Sequence, residues 1–401
     1  MKLITLTPIH IGNGETLKPL SYVMDKNYIY VLDMDKFFNI LSENQREQYL
    51  KWIDPILNRI AELDEKIVVT DDRNQKRNLR KLKREEEAKL SIDWFIKNRL
   101  GQNPINIAKK CLAYQIPYSI QPRRDGFKTH IKDIQNRAYI PGSEIKGAIR
   151  TSLLYEMLQE KENYKIFKNL LKDFSSIFKS GASTEKKLEK LRKIANAQEE
   201  ILLRGKKKDA KFDLLKFIKI TDSNSIEPQR LKIEATQMLG TNRYTRTWIE
   251  TIIPKTEFNF DLSIQKRNFL DELGLKEKEN WLSINKFLKN CYYRSKEILE
   301  QDEKYFSHNK TILRLIHKLK EQNQPTSPLL RLGAGQGFLG TTVDLIILKN
   351  DPQLYEVIRE GVSFQRRWRT QKNNFPKTRR VINDPYNNPL NILGWVKILP
   401  D

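Results

Sequence analysis

Few side chains in this 401-residue chain could act together as acid, base or metal ligand. His10 ends an alternating run, Lys2–Ile11, beside the tight turn Gly12-Asn-Gly14, where an imidazole could serve as a general base. More ordinarily such a histidine is packed or hydrogen-bonded. Asp125 and Asp133 stand eight apart in a breaker-rich segment, with His130 between them. That is sparse for a metal-dependent phosphodiesterase, which gathers several carboxylates or histidines around its ions. Cys111, Cys291 and four scattered histidines offer no zinc-ligand spacing, and the cysteines read as small buried hydrophobes. No catalytic residue, metal or cofactor is assigned.

Hydrogen-bond donors are abundant instead. Tyr139-Ile-Pro-Gly-Ser-Glu-Ile-Lys-Gly-Ala-Ile-Arg150 breaks at Pro141-Gly142 and puts Ser143 where a helix N-cap belongs. Ile145, Ala148, Ile149, Leu153 and Met157 then recur as one buried helical face. Lys146 falls at N3, where a cation opposes the positive helix terminus, and Arg150 lies four residues on, where like charges repel. A phosphate on the open N–H groups would relieve both. An ordinary strand–turn–helix with solvated cations is the competing description.

Three further stretches point to the same ligand class. Gly240–Trp248 has no acid and alternates cations with rings, so Asn242, Arg243, Tyr244 and Arg246 suit a hairpin that grips and stacks a single strand. A plain exposed hairpin is the alternative. Leu330–Gly340 sets Arg331 beside Gly333, Gly335, Gln336 and Gly337, whose N–H groups could form a nest for a phosphodiester. Gly335–Gly340 also fits G-x-G-x-x-G, the mark of a dinucleotide-dependent enzyme. That motif, however, belongs in an N-proximal strand–loop–helix, and Glu356 and Glu360 fall in a helical stretch. A structural glycine turn is the third option. Finally, Gly361–Asn383 holds seven cations, Arg366, Arg367 and Arg369 among them, and no acid; Phe364, Trp368 and Phe375 interleave them.

The elements that must position these groups mix strands and helices. Ser21–Val23 and Tyr28–Leu32 predict a hairpin. From Asp35 to about Leu100 the chain reads as helical, with Asp72–Lys89 an exposed charged arm that Trp94, Phe95 and Leu100 dock. Gln115–Arg137 is looser and basic. A helical piece follows near Tyr164–Phe178, and Ser180–Lys211 reads as a mobile loop or helix. Leu214–Thr221, Leu231–Ala235, Glu257–Ile264 and Leu393–Leu399 predict strands; Asn280–Glu300 and Lys310–Gln322 predict helices. Lys+Arg of 73 against Asp+Glu of 50 leaves +23, an excess that a polyanion neutralises. No apolar run approaches the roughly 20 residues of a membrane span, and no signal-peptide pattern opens the chain. Nucleic acid is therefore favoured over a membrane, in a reducing cytoplasm.

Together these pieces resemble the RAMP superfamily of CRISPR proteins, and within it the subunits, numbered five, that cap the guide-RNA end of type III-A (Csm) effector complexes. The resemblance rests on Leu6-Thr-Pro-Ile-His-Ile-Gly12, Ile140–Arg150, Glu250-Thr-Ile-Ile-Pro-Lys-Thr-Glu-Phe258, Arg331–Phe338 and Leu393-Gly-Trp-Val-Lys-Ile398, in order along nearly the whole chain. It implies an α+β fold of two ferredoxin-like (RRM-type) units. The first would cover residues 1–230, with helical insertions at about 35–110 and 160–211. The second, 231–401, would carry a thumb hairpin at Gly240–Trp248 and the glycine-rich loop. It further implies a non-catalytic subunit that holds the 3′ region of the guide RNA (crRNA), closes the backbone filament and supports guide maturation. Its partners would be the other Csm backbone and small subunits, with guide-trimming nucleases as further candidates. A RAMP endoribonuclease using Asp133 or His10 is the alternative from the same superfamily.

Overall fold

A computed structural model describes residues 1–400 other than 124, 208, 242–245, 266–267 and 366–374; at 174, 178, 184, 191, 195, 198 and 363–365 the backbone alone is described. Strand alternation builds the larger sheet. In Leu231–Leu239, Leu231, Ile233 and Ala235 enter the main core while Lys232, Glu234 and Thr236 take the other face. Six strands lie in the order Pro389–Ile392, Arg379–Asn383, Leu231–Leu239, Arg246–Ile252, Phe127–His130, Gly12–Leu17. A second sheet is antiparallel, in the order Glu257–Asn259, Lys2–Thr5, Trp395–Leu399, Leu329–Arg331. Both sheets take strands from either side of residue 230, so the boundary expected there does not separate them.

The chain crosses between the two sheets at Leu6–Ile9, and the expected opening strand Lys2–Ile11 therefore ends at Thr5. Pro8 has no N–H to continue a ladder, and Ile9 N donates instead to Ile252 O at 3.0 Å. Two other expected strands are also cut. Leu214–Phe217 is a 3₁₀ turn, because the Asp213 carboxylate accepts from Leu215 N, and only Ile218–Ile220 is extended. Glu257–Ile264 breaks into Glu257–Asn259 and Leu262–Ile264, which join different sheets. The helices Gly142–Met157, Ile284–Tyr305 and Lys310–Gln322 match the apolar periodicity, and Ser180–Lys211 contains the helix Thr184–Leu203.

A satellite core carries the N-terminal helical insertion. The hairpin Tyr22–Met24/Tyr28–Leu32, extended by Leu112–Pro117, packs Val23 and Leu32 against Phe37, Trp52, Phe95 and Ile107. Trp52 stacks on Phe95 at 5.0 Å and on Trp94 at 6.0 Å between ring centroids. From this base the helices Glu43–Val69 and Arg73–Glu87 run out as an arm, and no residue of the second is buried.

Candidate nucleic-acid interface

The glycine-rich loop leaves the strand Leu329–Arg331 and is pinned from three sides. Leu332 N donates to Gly394 O at 2.7 Å, Ala334 N to His10 O at 2.8 Å, and Gly333 N to Glu144 Oε2 at 3.4 Å. Glycine is required where the contact is closest. Gly333 has φ +62°, and a Cβ there would lie 2.2 Å from His10 O. Gly335, at φ +98°, would place one 2.8 Å from Leu393 Cβ. Gly337 is exposed with nothing near it, and no acceptor among the described residues meets the amides of Gly335 or Gly337. Gln336 sits between them and precedes the short helix Gly337–Thr341. The fold thus unites three motifs far apart in sequence: His10–Gly14, the start of Gly142–Met157, and this loop.

Beside the loop lies the second face of the six-stranded sheet. Lys128, Thr236 and Arg380 share it by strand register: Lys128 pairs with Ile249, Thr236 with Ile382, and Arg380 with Met238. Ile249, Ile382 and Leu393 form a small buried cluster there. Lys128 is exposed; Arg380 is half-buried and donates to Thr236 Oγ1 at 3.1 Å. Arg380 belongs to the cation-rich stretch Gly361–Asn383, whereas Lys128 comes from the looser basic segment Gln115–Arg137. The signal that could have found them is alternation, since each is the polar member of a strand whose neighbours, Phe127 and Val381, are core.

Several expected contacts are spent inside the protein. The helix begins at Gly142 with Pro141 as its N-cap, so Ser143 makes no cap and Glu144, not Lys146, occupies N3. The Asp222 carboxylate accepts from Gly142 N at 2.8 Å and supplies the negative charge expected of a phosphate. Lys146 Nζ donates to Ile218 O at 2.8 Å, and Arg150 makes a two-pronged pair with Glu199 at 2.6 and 2.7 Å. Arg331 is buried: it pairs with Asp302 at 2.7 Å, donates to Leu393 O at 3.0 Å and lies over Trp395. Trp248 is buried too, its indole donating to Ile120 O at 3.0 Å, so it is no stacking platform. Arg246 opens the strand Arg246–Ile252 with its guanidinium 5.9 Å from the Trp248 ring. Asn242, Arg243, Tyr244, Arg366, Arg367 and Arg369 lie outside the described residues. Strands Leu231–Leu239 and Arg246–Ile252 do pair as a hairpin up to Gln237–Arg246.

The acid–base candidates are likewise engaged. His10 Nδ1 is 2.7 Å from Glu250 O, a carbonyl that can only accept, so this nitrogen carries the proton. Burial lowers the His10 pKa to about 4 and that of His130 to about 3. Both imidazoles are therefore neutral near pH 7, and His10 is a weak base. Glu250 is fully buried, accepting from His130 N at 2.7 Å and from Lys132 Nζ at 2.6 Å. Asp133 closes a turn: its oxygens accept from the amides of Gln135 and Arg137 and from Arg137 Nε. Desolvation would raise that carboxyl, but these bonds hold it below its ordinary value. Among the described residues no group of three or more His, Cys, Asp or Glu side chains is placed to share a metal ion. The dinucleotide reading of Gly335–Gly340 fails on topology. Its preceding strand, Leu329–Arg331, is an antiparallel edge, its helix spans five residues, and Glu356 and Glu360 sit within the helix Pro352–Gln365.

Comparison with known proteins places the whole chain. It is 24% identical to a CRISPR system protein Csm5 of Methanocaldococcus jannaschii, over 99% of this chain and 88% of the relative. To a protein of that name from Streptococcus thermophilus it is 24% identical, over 68% of this chain and 67% of the relative. Two solved structures share the fold. One is a chain in a cryo-EM structure of a Csm–crRNA–target RNA ternary complex, with TM-score 0.66, 18% identity and 98% of each chain covered. The other is a crystal structure of T. onnurineus Csm5, with TM-score 0.65, 19% identity, and 99% and 100% of the two chains covered. Among the described residues no helix is long and apolar enough to cross a membrane. The family model of the RAMP superfamily matches residues 2–339, so the chain belongs to that superfamily.

Proposed function

We propose that this protein is a non-catalytic, guide-RNA-binding subunit of a type III-A (Csm) interference complex. It holds the 3′ region of the crRNA, closes one end of the backbone filament and supports guide maturation, with the other Csm subunits as partners. One observation carries the reading: the amides of Gly335 and Gly337, which meet no acceptor among the described residues, stand on a loop beside the Lys128/Arg380 sheet face. Amide donors next to cations suit a phosphodiester and need no general base. Relatives named Csm5, and a structural neighbour within a Csm–crRNA complex, support the choice of guide. Gln336, Asn242, Arg243, Tyr244, Arg246, Arg366, Arg367 and Arg369 complete the proposed contact. The four- and six-stranded sheets would be the two ferredoxin-like units, built from interleaved strands.

The test uses the assembled complex and the purified chain. Lys128→Gln with Arg380→Gln should lower the log–log salt slope of single-strand RNA binding by about 0.7 for each phosphate no longer neutralised. His10→Ala and Asp133→Ala should leave guide length unchanged. Specific RNA cleavage by the purified chain, abolished by either of those two changes, would replace this reading with a RAMP endoribonuclease.

A further inference from the structure

The helical insertion carries a charged surface that the proposed guide contact does not use. In the helix Arg73–Glu87 every lysine has a partner: Lys76 donates to Thr70 O at 3.2 Å, Lys81 pairs with Glu85 at 3.8 Å, and Lys83 with Asp64 at 2.6 Å. The remaining acids at its end are committed to lysines as well, Glu86 to Lys89 at 2.7 Å and Glu87 to Lys18 at 3.9 Å. The four arginines differ. Arg73, Arg77, Arg80 and Arg84 are exposed, and no ion pair, hydrogen bond or ring contact engages any of their side chains among the described residues.

Their spacing of i, i+4, i+7 and i+11 sets all four in one narrow stripe, about 16 Å long at 1.5 Å per residue. The less exposed positions Lys76, Leu79, Lys83 and Glu86 mark the face turned to Glu43–Val69, so the stripe runs along the side of the arm, open to solvent. Neighbouring guanidinium groups there repel, and a polyanion laid along them would remove that cost. At the foot of the arm lies a groove of about 1210 Å³. Trp94, 42% exposed and stacked on Trp52, lines it, with Arg99 5.8 Å from the Trp94 ring. Lys51, Lys89 and Arg123 share the groove with Asp93 and Asp125.

We infer that the arginine stripe and this groove form a second track for single-stranded RNA, the guanidinium groups holding phosphates and Trp94 receiving an unpaired base. A regular row of cations matches a polymer with one charge per residue better than the mixed surface of a protein. The ring at the foot favours a single strand over a duplex, whose bases are already stacked. The inference is independent of the contact at the glycine-rich loop and requires only that the chain meets RNA.

The experiment measures binding of a labelled 20-nucleotide oligouridine to the full chain by fluorescence anisotropy across a salt series. Arg73→Gln, Arg77→Gln, Arg80→Gln and Arg84→Gln are combined; glutamine keeps the helix. The log–log salt slope should fall by about 0.7 for each phosphate released from an arginine, close to 3 in all. The matching four lysine substitutions should restore most of the slope. Trp94→Ala should weaken binding about tenfold with the slope unchanged. If the glutamine variant keeps the wild-type slope while Lys128→Gln with Arg380→Gln still lowers it, the second track is wrong and the loop contact stands. Absence of any salt-dependent binding by the wild-type chain would overturn both. Equal competition by polyglutamate or by a duplex of the same length would overturn the single-strand assignment.

Discussion

The junction around Asp302 and the arm Arg73–Glu87 use the same side chain under opposite conditions. At the junction Arg331 and Arg379 are buried and share one carboxylate, at 2.7 and 3.0 Å, which ties the helix Ile284–Tyr305 to a strand of each large sheet. On the arm four arginines of like spacing have no partner among the described residues and face solvent. Net charge weighs the two regions equally, although only the second has cations to offer a ligand. What decides is whether an acid from elsewhere in the chain reaches the guanidinium first.

Breaking the junction should give the largest effect. Asp302→Ala strands two buried guanidinium groups and should cost about 3–5 kcal/mol in denaturant unfolding. A loss under about 1 kcal/mol would mean that the junction is not the tie described. Next in size is the loop seated beside it. Gly333→Ala must take a left-handed backbone with its Cβ 2.2 Å from His10 O, whereas Gly337→Ala meets only the backbone strain at φ +67°. Gly333→Ala should therefore lose well over the ~1–3 kcal/mol of such strain, and Gly337→Ala should stay within it. Equal losses in thermal unfolding would show that the loop is not packed on His10.

A half-buried acid sharpens the contrast through pH. Burial raises the Glu156 carboxyl from 4.5 to about 7, with the Lys286 charge opposing. Between those values the folded state holds the proton that the unfolded state has released. This residue therefore costs stability progressively as pH rises from about 4.5 to about 7, and by a constant amount above. Glu156→Gln should flatten that part of the stability–pH curve; an unchanged curve would mean that the carboxyl is not desolvated in the folded state. The smallest effect belongs to the arm. Its four arginine-to-glutamine changes should shift stability by less than about 0.5 kcal/mol each, as solvated positions do. A cooperative loss on unfolding would reveal partners that the arm is not supposed to have.

Local pattern alone determined much of this protein. The helices at Gly142–Met157 and Lys310–Gln322, the Tyr22–Leu32 hairpin and the exposed arm follow from apolar periodicity and breaker residues, because those depend on neighbours within a turn or two. The ordered motifs likewise carried the superfamily. Tertiary structure alone decided which charges are available. Asp222 reaches Gly142 from 80 positions away, Glu199 reaches Arg150 from 49, and Asp302 reaches Arg331 from 29 and Arg379 from 77. It also moved two strands into other pairings and gathered His10, Glu144 and Gly333 into one place. A cation's neighbours in sequence say what repels it; its counter-charge comes from wherever the fold brings an acid within about 4 Å, and only there is the Coulomb attraction strong enough to hold it.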